Sequence, residues 1–106
     1  MPKYLIQVNY TAEGARGLHK DGGTKRREVA QNAAKSLGGQ VESFYFAFGQ
    51  HDVVCVVDMP DAVSMAALSM AVSESGAAET VTTVLLTVED LDHAAGKHSA
   101  YRKPGA

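Results

Sequence analysis

The sequence predicts an α+β domain in which an antiparallel sheet of four strands carries two main helices on one face. Three observations lead to this fold class. Apolar residues alternate with a period of two in strand-like segments, and they recur with a helical period in two other segments. The segments follow one another in the order β–α–β–β–α–β, and 106 residues suit a single domain spanning residues 1–106.

The first predicted strand is Lys3–Tyr10, in which every second residue is apolar and favours extended backbone. The segment 11–23 that follows has four glycines in thirteen residues. Thr11 suits the N-cap of a helix, but Gly14 and Gly17 weaken any longer helix. We therefore predict a loop with one helical turn at most.

From Thr24 onward the apolar period becomes helical, and charged side chains occupy the opposite side. Thr24 is the expected N-cap, and Gly38 with Gly39 suits a left-handed exit. The pattern predicts a helix over 24–37. Its apolar stripe consists of Val29, Ala30, Ala33, Ala34 and Leu37.

Residues 40–48 alternate again, which predicts a strand with all three phenylalanines of the chain on one buried face and with Val41 and Tyr45 on the other. Gly49–Asp52 then makes a tight reversal into 53–57, a continuous apolar run typical of a buried strand. The two strands are expected to form a hairpin.

A second helix is predicted over Ala62–Ser73, with Asp61 as its N-cap. This segment contains no charged residue, and its apolar residues surround most of the helix. Two interpretations remain open. The helix is either an alanine-rich core helix, or its outer face contacts another subunit.

The run Thr80–Val88 is rich in β-branched residues and leucine, and it predicts a final, central strand. Thr87 and Asp90 have the spacing of a capping box, which predicts a short C-terminal helix through Ala95. The polar tail of residues 95–106 is expected to be ordered only if something binds it.

The predicted order of elements is the ferredoxin-like βαββαβ topology with an extra C-terminal helix. Its two main helices cover only one face of the sheet. The other face would expose Leu5, Tyr45 and part of the 53–57 run. Because a large exposed apolar face favours association, we expect a homodimer of the dimeric α/β barrel-like type.

Three segments resemble the small bacterial GYD-domain proteins over essentially the whole chain: MPKYLIQVNYTAEGARGL, ESFYFAFGQHDVVCVVDMPD, and LLTVEDLDHAA followed by AYRKPG. The Gly–Tyr–Asp signature of that family corresponds here to Gly49, His51 and Asp52, so that histidine replaces the usual tyrosine. The resemblance implies a dimeric ferredoxin-like fold. It implies no particular chemistry, because that family is largely uncharacterised.

Two residues of the turn are the catalytic candidates. Histidine is a common general acid or base and a carboxylate can orient it, so His51 and Asp52 are a candidate acid–base pair. Neighbouring strand residues point to opposite faces, which favours the alternative that Gly49 and Asp52 shape the turn.

Ligand-binding candidates fall into two groups. His19, Lys25 and Arg26 place positive charge around a helix start, where a phosphate or carboxylate can bind, although a solvated basic surface is the simpler interpretation. The tyrosines can line an aromatic pocket or simply pack in the core. The tyrosines considered for this role are Tyr4, Tyr10 and Tyr45.

Composition excludes several function classes. The formal net charge of −2 argues against nucleic acid as a partner, and no segment has the length of a membrane helix. The single cysteine, Cys55, excludes an internal disulfide and suits a cytoplasmic protein. No motif predicts a metal site or a cofactor, since His93 and His98 are spaced five apart and no dinucleotide fingerprint is present.

The sequence therefore supports three hypotheses. The first is a homo-oligomeric domain that binds a small molecule or an anion between its sheet and helices. The second is a cofactor-independent enzyme, of the oxygenase or isomerase type, in the dimeric α/β-barrel class. The third is a structural or regulatory assembly protein, which the uncharged second helix suggests.

Overall fold

The computed structural model describes all 106 residues and contains four strands and four helices. The strands form one antiparallel sheet in the order β2-β3-β1-β4. The α+β class and the antiparallel sheet are confirmed, and the strand order is consistent with the ferredoxin-like topology. No helix has both the length and the apolar character needed to cross a membrane. In chain order the elements are β1 (Lys3–Tyr10), α1 (Ala12–Asp21), α2 (Gly23–Ser36), β2 (Gln40–Phe46), β3 (Val53–Asp58), α3 (Ala62–Glu74), β4 (Ala78–Leu85) and α4 (Val88–Ala95).

The core lies between the sheet and the helices α2 and α3. We call the side of the sheet beneath them the helix face, and the other side the open face. Tyr4 pairs with Val57, and Ile6 with Cys55, so these four side chains point together into the core. Met59, directly after β3, is completely buried. The period-two pattern of β1 therefore correctly predicted the buried face of the central strand.

The two main helices stand apart from each other. Helix α2 packs mainly against β2, and α3 packs against β4. The central strands β1 and β3 therefore lie beneath the space between the helices. The end of α3 and the beginning of α2 are at the same end of the sheet, where β1 ends, β4 begins and α1 is located. This end of the helix face positions the candidate site described below.

The predicted loop over 11–23 is wrong, because a ten-residue helix, α1, occupies most of it. The Thr11 hydroxyl caps the helix by accepting a hydrogen bond from the Gly14 N–H at 3.2 Å. Gly14 is buried so close to the Ala77 carbonyl that a Cβ atom would lie 1.8 Å from its oxygen. The absence of a side chain at position 14 therefore permits close packing of α1. This tertiary contact outweighs the low helix propensity of the segment.

The beginning of α2 also differs from the prediction. The helix begins at Gly23, and Gly22, with φ of 81°, is its N-cap in place of Thr24. Gly22 makes no side-chain capping bond, and the first turn of the helix carries no acidic residue. The predicted exit is confirmed, since Gly38 has φ of 82°.

Two details of the hairpin correct the predicted alternation. A register shift between Val41 and Ser43 turns Val41 onto the helix face with Phe44, because a bulge adds one residue to the strand. The strand ends at Phe46, so Phe48 lies outside it and is fully exposed instead of buried. The predicted burial of this row is therefore wrong for Phe46 as well, which is exposed, whereas Phe44 is half-buried; the two rings meet edge to face with centroids 5.4 Å apart.

The predicted central position of the last strand is wrong, because β4 is an edge strand beside β1. The preference of a residue for strands measures how well it fits a pleated, half-buried surface. It does not distinguish a central strand of a sheet from an edge strand. Val81 on its open face and Val84 are both exposed. Apolar side chains are therefore exposed on both faces of this edge strand.

The C-terminal capping box is confirmed. The Thr87 hydroxyl accepts from the Asp90 N–H at 3.0 Å, and the Asp90 carboxylate accepts from the Thr87 N–H at 3.1 Å. We call residues 86–106 the C-terminal arm. The arm has no buried residue. The radius of gyration is 16.8 Å and the longest dimension 56 Å, whereas a compact chain of this length has a radius of about 13 Å. The arm therefore projects from the body of the domain.

A candidate ligand cavity between helices and sheet

The helix face contains a cavity of about 130 Å³ in the space between α2 and α3. Sixteen residues line it, and 14 of them are hydrophobic. The floor comes from the central strands, including Ile6 and Val53, and the walls come from the two helices. An apolar enclosure with few polar groups is the usual form of a small-molecule site.

Short side chains on α2 create this space. Ala30 and Ala33 lie on the apolar stripe of the helix and face the cavity, while Leu68 and Val72 face it from α3. A larger side chain in place of either alanine would fill the space between the helices. The sequence predicted the stripe correctly, but it contains no signal for how far apart the two helices lie.

Three residues of the lining carry polar groups on their side chains: Arg26, Thr80 and Tyr10. Tyr10 ends β1 and pairs with Ala78, while Thr80 pairs with Val8 one step further along the same two strands. Arg26 lies in the first turns of α2, which begins at this end of the sheet. The topology thus collects the polar lining at one end of an otherwise apolar cavity.

Arg26 is only weakly paired within the chain. Its guanidinium Nη1 lies 3.9 Å from the Asp21 carboxylate, too far for a direct hydrogen bond, and its side chain is about one-third exposed. The Thr80 hydroxyl, in contrast, lies 3.2 Å from the Ser69 hydroxyl. Of the polar groups at this end, the guanidinium therefore keeps the most hydrogen-bonding capacity for another molecule.

Cys55 contributes to the floor of the cavity and is only 5% exposed. Burial raises the pKa of its thiol to about 11, because the apolar surroundings disfavour the thiolate. At neutral pH the group is a protonated thiol. It therefore acts as part of the apolar wall and is not an activated nucleophile.

The structure gives Asp52 a set of hydrogen bonds to the backbone. Its carboxylate accepts from the Tyr10 N–H at 2.9 Å, its N–H donates to the Val8 carbonyl at 2.8 Å, and its carbonyl accepts from the Ala47 N–H at 2.9 Å. These bonds join the β2–β3 turn to the end of β1. They match the alternative in which the aspartate shapes the turn.

His51 makes no hydrogen bond with Asp52. Its Nδ1 atom is buried and has no partner within the chain, although the residue as a whole is only half-buried. The side chain does not line the cavity between the helices. The proposed acid–base pair is therefore not assembled in this chain.

The other predicted ligand residues are dispersed. Tyr4 is buried in the core outside the cavity lining, and Tyr45 is 70% exposed on the open face. His19 on α1 and Lys25 on α2 are both exposed. Of the residues selected from the sequence, the cavity brings together only Tyr10 and Arg26.

A second, more open groove of about 440 Å³ lies beneath α1, where Leu18, Phe46 and Phe48 face the Asp52 side chain. Tyr10 lines this groove as well as the cavity. Because the Asp52 carboxylate is already bonded to the backbone and the groove is wide, its walls offer few fixed contacts to a small ligand. The cavity between α2 and α3 is the better-formed candidate.

A family model described as GYD domain matches residues 4–95 of the 106-residue chain. The matched region extends from β1 to the last residue of α4, and so includes every element of the fold. Comparisons with curated proteins and with solved structures give no significant match.

Proposed function

The chain belongs to the GYD-domain family, and we propose that it binds a small, largely apolar molecule in the cavity between α2 and α3 and does so as a homo-oligomer. The cavity is the observation that carries this proposal. It is apolar on most of its surface, has polar groups at one end, and is bounded by regular elements that hold its shape.

Two unpartnered apolar surfaces support the oligomeric part of the proposal. On the open face, Leu5, Val54 and Val56 lie beside the exposed Tyr45 and Val81. A second copy placed against this face would bury them, as in a dimeric α/β barrel.

The C-terminal arm provides the second such surface. Val88 and Leu91 lie one helical turn apart on α4 and are 74% and 62% exposed. Helix α4 is well capped at its N-terminus, yet none of its residues is buried. A helix of eight residues is marginal in water without packing, so contact with another subunit would stabilise it.

The assembly hypothesis is the second candidate, and one observation favours it. Val63 and Met70, on the outer side of α3, are both exposed and lie on a helix without charged residues before Glu74. The enzyme hypothesis has less support, since Asp52 is bonded to the backbone and His51 lies outside the cavity lining.

Native mass spectrometry of the purified protein, combined with ligand-observed NMR on a panel of small aromatic and aliphatic compounds, tests the proposal. We expect a dimer or larger assembly and binding of at least one apolar compound. The variant Ala30→Leu fills the cavity and should abolish binding while preserving the subunit number. Ala12→Leu, at an exposed position in the first turn of α1 and outside the cavity lining, is the matched control and should bind normally. A folded protein that binds nothing in the panel, or for which Ala30→Leu has no effect, would contradict the ligand site.

A further inference from the structure

We infer that the ligand of the cavity is a small monocarboxylate with a compact apolar body, about the size of benzoate, whose carboxylate pairs with Arg26. This inference rests on the proposed function, because it assumes that the cavity between α2 and α3 is the binding site. It adds the chemical class of the ligand and the residue that recognises it.

The volume limits the apolar body of the ligand. The cavity measures about 130 Å³, and an apolar cavity of about 150 Å³ holds one benzene molecule. A single six-membered ring or a short branched chain therefore fits, whereas a fused ring system or a nucleotide base with its sugar does not. The walls offer such a body apolar contacts from Ala33, Phe44 and Leu68.

Charge selects the head group. Arg26 is the only charged residue in the lining, and the nearest carboxylate in the chain, that of Asp21, lies beyond hydrogen-bonding distance at 3.9 Å. The first turn of α2 contains no acidic residue that could compete for the guanidinium. The neighbouring Lys25 and Arg27 add positive potential at the same helix end.

Geometry favours a planar anion over a cation or a neutral ring. A guanidinium presents parallel N–H donors that match the two oxygens of a carboxylate. Arg26 is partly shielded from water, so the pair would be stronger there than on an open surface. A ligand that carries a cation instead would face Arg26 directly and be repelled.

The position of the head group follows from the topology. Arg26, Tyr10 and Thr80 all lie at the end of the cavity where β1 ends and α2 begins, and the opposite end, towards Val57 and Val41, is apolar. The ligand would therefore lie with its ring towards the middle of the sheet. Its carboxylate would face the end covered by α1.

Cys55 gives the chain an internal reporter for this site. It is the only cysteine, it is buried, and it lines the cavity. Methyl methanethiosulfonate converts an accessible thiolate to a methyl disulfide and releases methanesulfinate. A ligand in the cavity should slow this reaction, and the mass of the intact protein measures its rate directly.

The experiment compares benzoate, toluene and benzylamine as protectors of Cys55 in the full-length protein at mildly alkaline pH, low enough that benzylamine is still protonated. These ligands share a ring but carry a negative charge, no charge and a positive charge. We expect benzoate to protect at about tenfold lower concentration than toluene, the usual scale of a charge-assisted hydrogen bond, and benzylamine to protect least.

Three variants test whether the advantage of benzoate over toluene depends on Arg26. Arg26→Met keeps the length of the side chain but removes the charge, and should eliminate the advantage of benzoate over toluene. Arg26→Lys keeps the charge without the planar guanidinium and should retain part of the advantage of benzoate. This second variant still tests the role of Arg26 if Arg26→Met fails to fold. Lys35→Met removes an exposed charge in the last turn of α2, far from the head group and outside the lining of the cavity, and should leave all three ligands unchanged.

The outcomes separate the inference from the proposed function. If toluene protects as well as benzoate, or if Arg26→Met leaves the order of the ligands unchanged, the chemical class is wrong while the binding site remains. If none of the ligands protects Cys55 in a protein whose circular dichroism shows it to be folded, both are wrong. Protection that survives Ala30→Leu would place the ligand elsewhere and also overturn the inference.

Discussion

The carboxylate of Asp52 accepts a hydrogen bond from the backbone N–H of Tyr10 at 2.9 Å, across 42 positions of sequence. Tyr10 is also the residue at which β1 ends and the cavity lining becomes polar. Asp52 therefore holds in place a residue of the candidate site by a hydrogen bond to its backbone, and not by contact with a ligand.

Replacing Asp52 should therefore reduce stability. We expect Asp52→Ala to lower the free energy of unfolding by about 1–3 kcal/mol, because the Tyr10 N–H loses a charged acceptor in a partly buried position. Asp52→Asn keeps an acceptor oxygen and should cost less. Urea titration measures both, with Asp92→Ala on the exposed arm as the control. Full stability in Asp52→Ala combined with loss of ligand binding would instead indicate a direct role in the site.

Two glycines of α1 should respond oppositely to the same substitution. Gly17→Ala meets no atom within 4 Å and should stabilise the protein by about 0.5–1 kcal/mol, since alanine favours a helix interior. Gly14→Ala places a methyl group against the Ala77 carbonyl and should destabilise the protein or displace α1. Thermal unfolding followed by circular dichroism compares the two variants. Equal melting temperatures would show that α1 does not pack against the start of β4.

The ion pair between Lys3 and Asp58 should contribute to stability at both ends of the pH range. Lys3 Nζ lies 2.7 Å from Asp58 Oδ1 and 3.1 Å from Glu42, and the Gln40 amide also donates to Asp58 at 3.1 Å. The hydrogen bond from Lys3 is the main reason that the pKa of Asp58 falls below its usual 3.8. The same bond is the main reason that the pKa of Lys3 rises above its usual 10.5.

The signs of the two effects follow from linkage. Stability from Asp58 is complete above its unfolded pKa and is lost as the pH falls through the lower folded value. Stability from Lys3 is complete below its unfolded pKa and is lost as the pH rises through the higher folded value. We expect Lys3→Met to flatten the profile of unfolding free energy at both limits. Asp61→Asn, which keeps an acceptor oxygen at the N-cap of α3 but removes the titratable carboxylate, should change only the acid limit.

The C-terminal arm should be needed for association. We expect Leu91→Ser to shift the assembly towards monomers in light scattering, because it removes the most central apolar residue of the exposed α4 surface. Glu89→Gln, on the same helix, is the control and should leave the mass unchanged. A parent protein that is monomeric at micromolar concentration, or a Leu91→Ser variant that keeps its mass, would contradict a role for the arm.

The elements that the sequence predicted well are those whose pattern depends on their own side chains. The alternation in β1 and the Asp61 cap are local signals, and both are confirmed. The pairing of Thr87 with Asp90 is another. Helix α1 was missed because its stability depends on contact with Ala77, 63 residues beyond Gly14 and visible only in three dimensions. Phe48 was misplaced because alternation alone does not indicate where a strand ends.

The candidate site was predicted only in part, and the reason is similar. Arg26 and Tyr10 were selected from the sequence, the first for its charge at a helix start and the second as an aromatic residue on a strand. Ala30 and Ala33 were assigned to the apolar stripe of the helix. The residues of one helix do not indicate that the facing helix lies too far away to fill the space between them. The distance between α2 and α3 is a property of the whole sheet and has no local signature.

The central place of β1 in the sheet has a consequence for synthesis. This strand is made first, yet its two neighbours, β3 and β4, begin at Val53 and Ala78. Pairing over such long separations is slow, and this central, largely apolar strand must remain without partners while much of the chain is translated. The nascent protein is therefore expected to depend on a chaperone, or on rapid elongation, until Leu85 has left the ribosome.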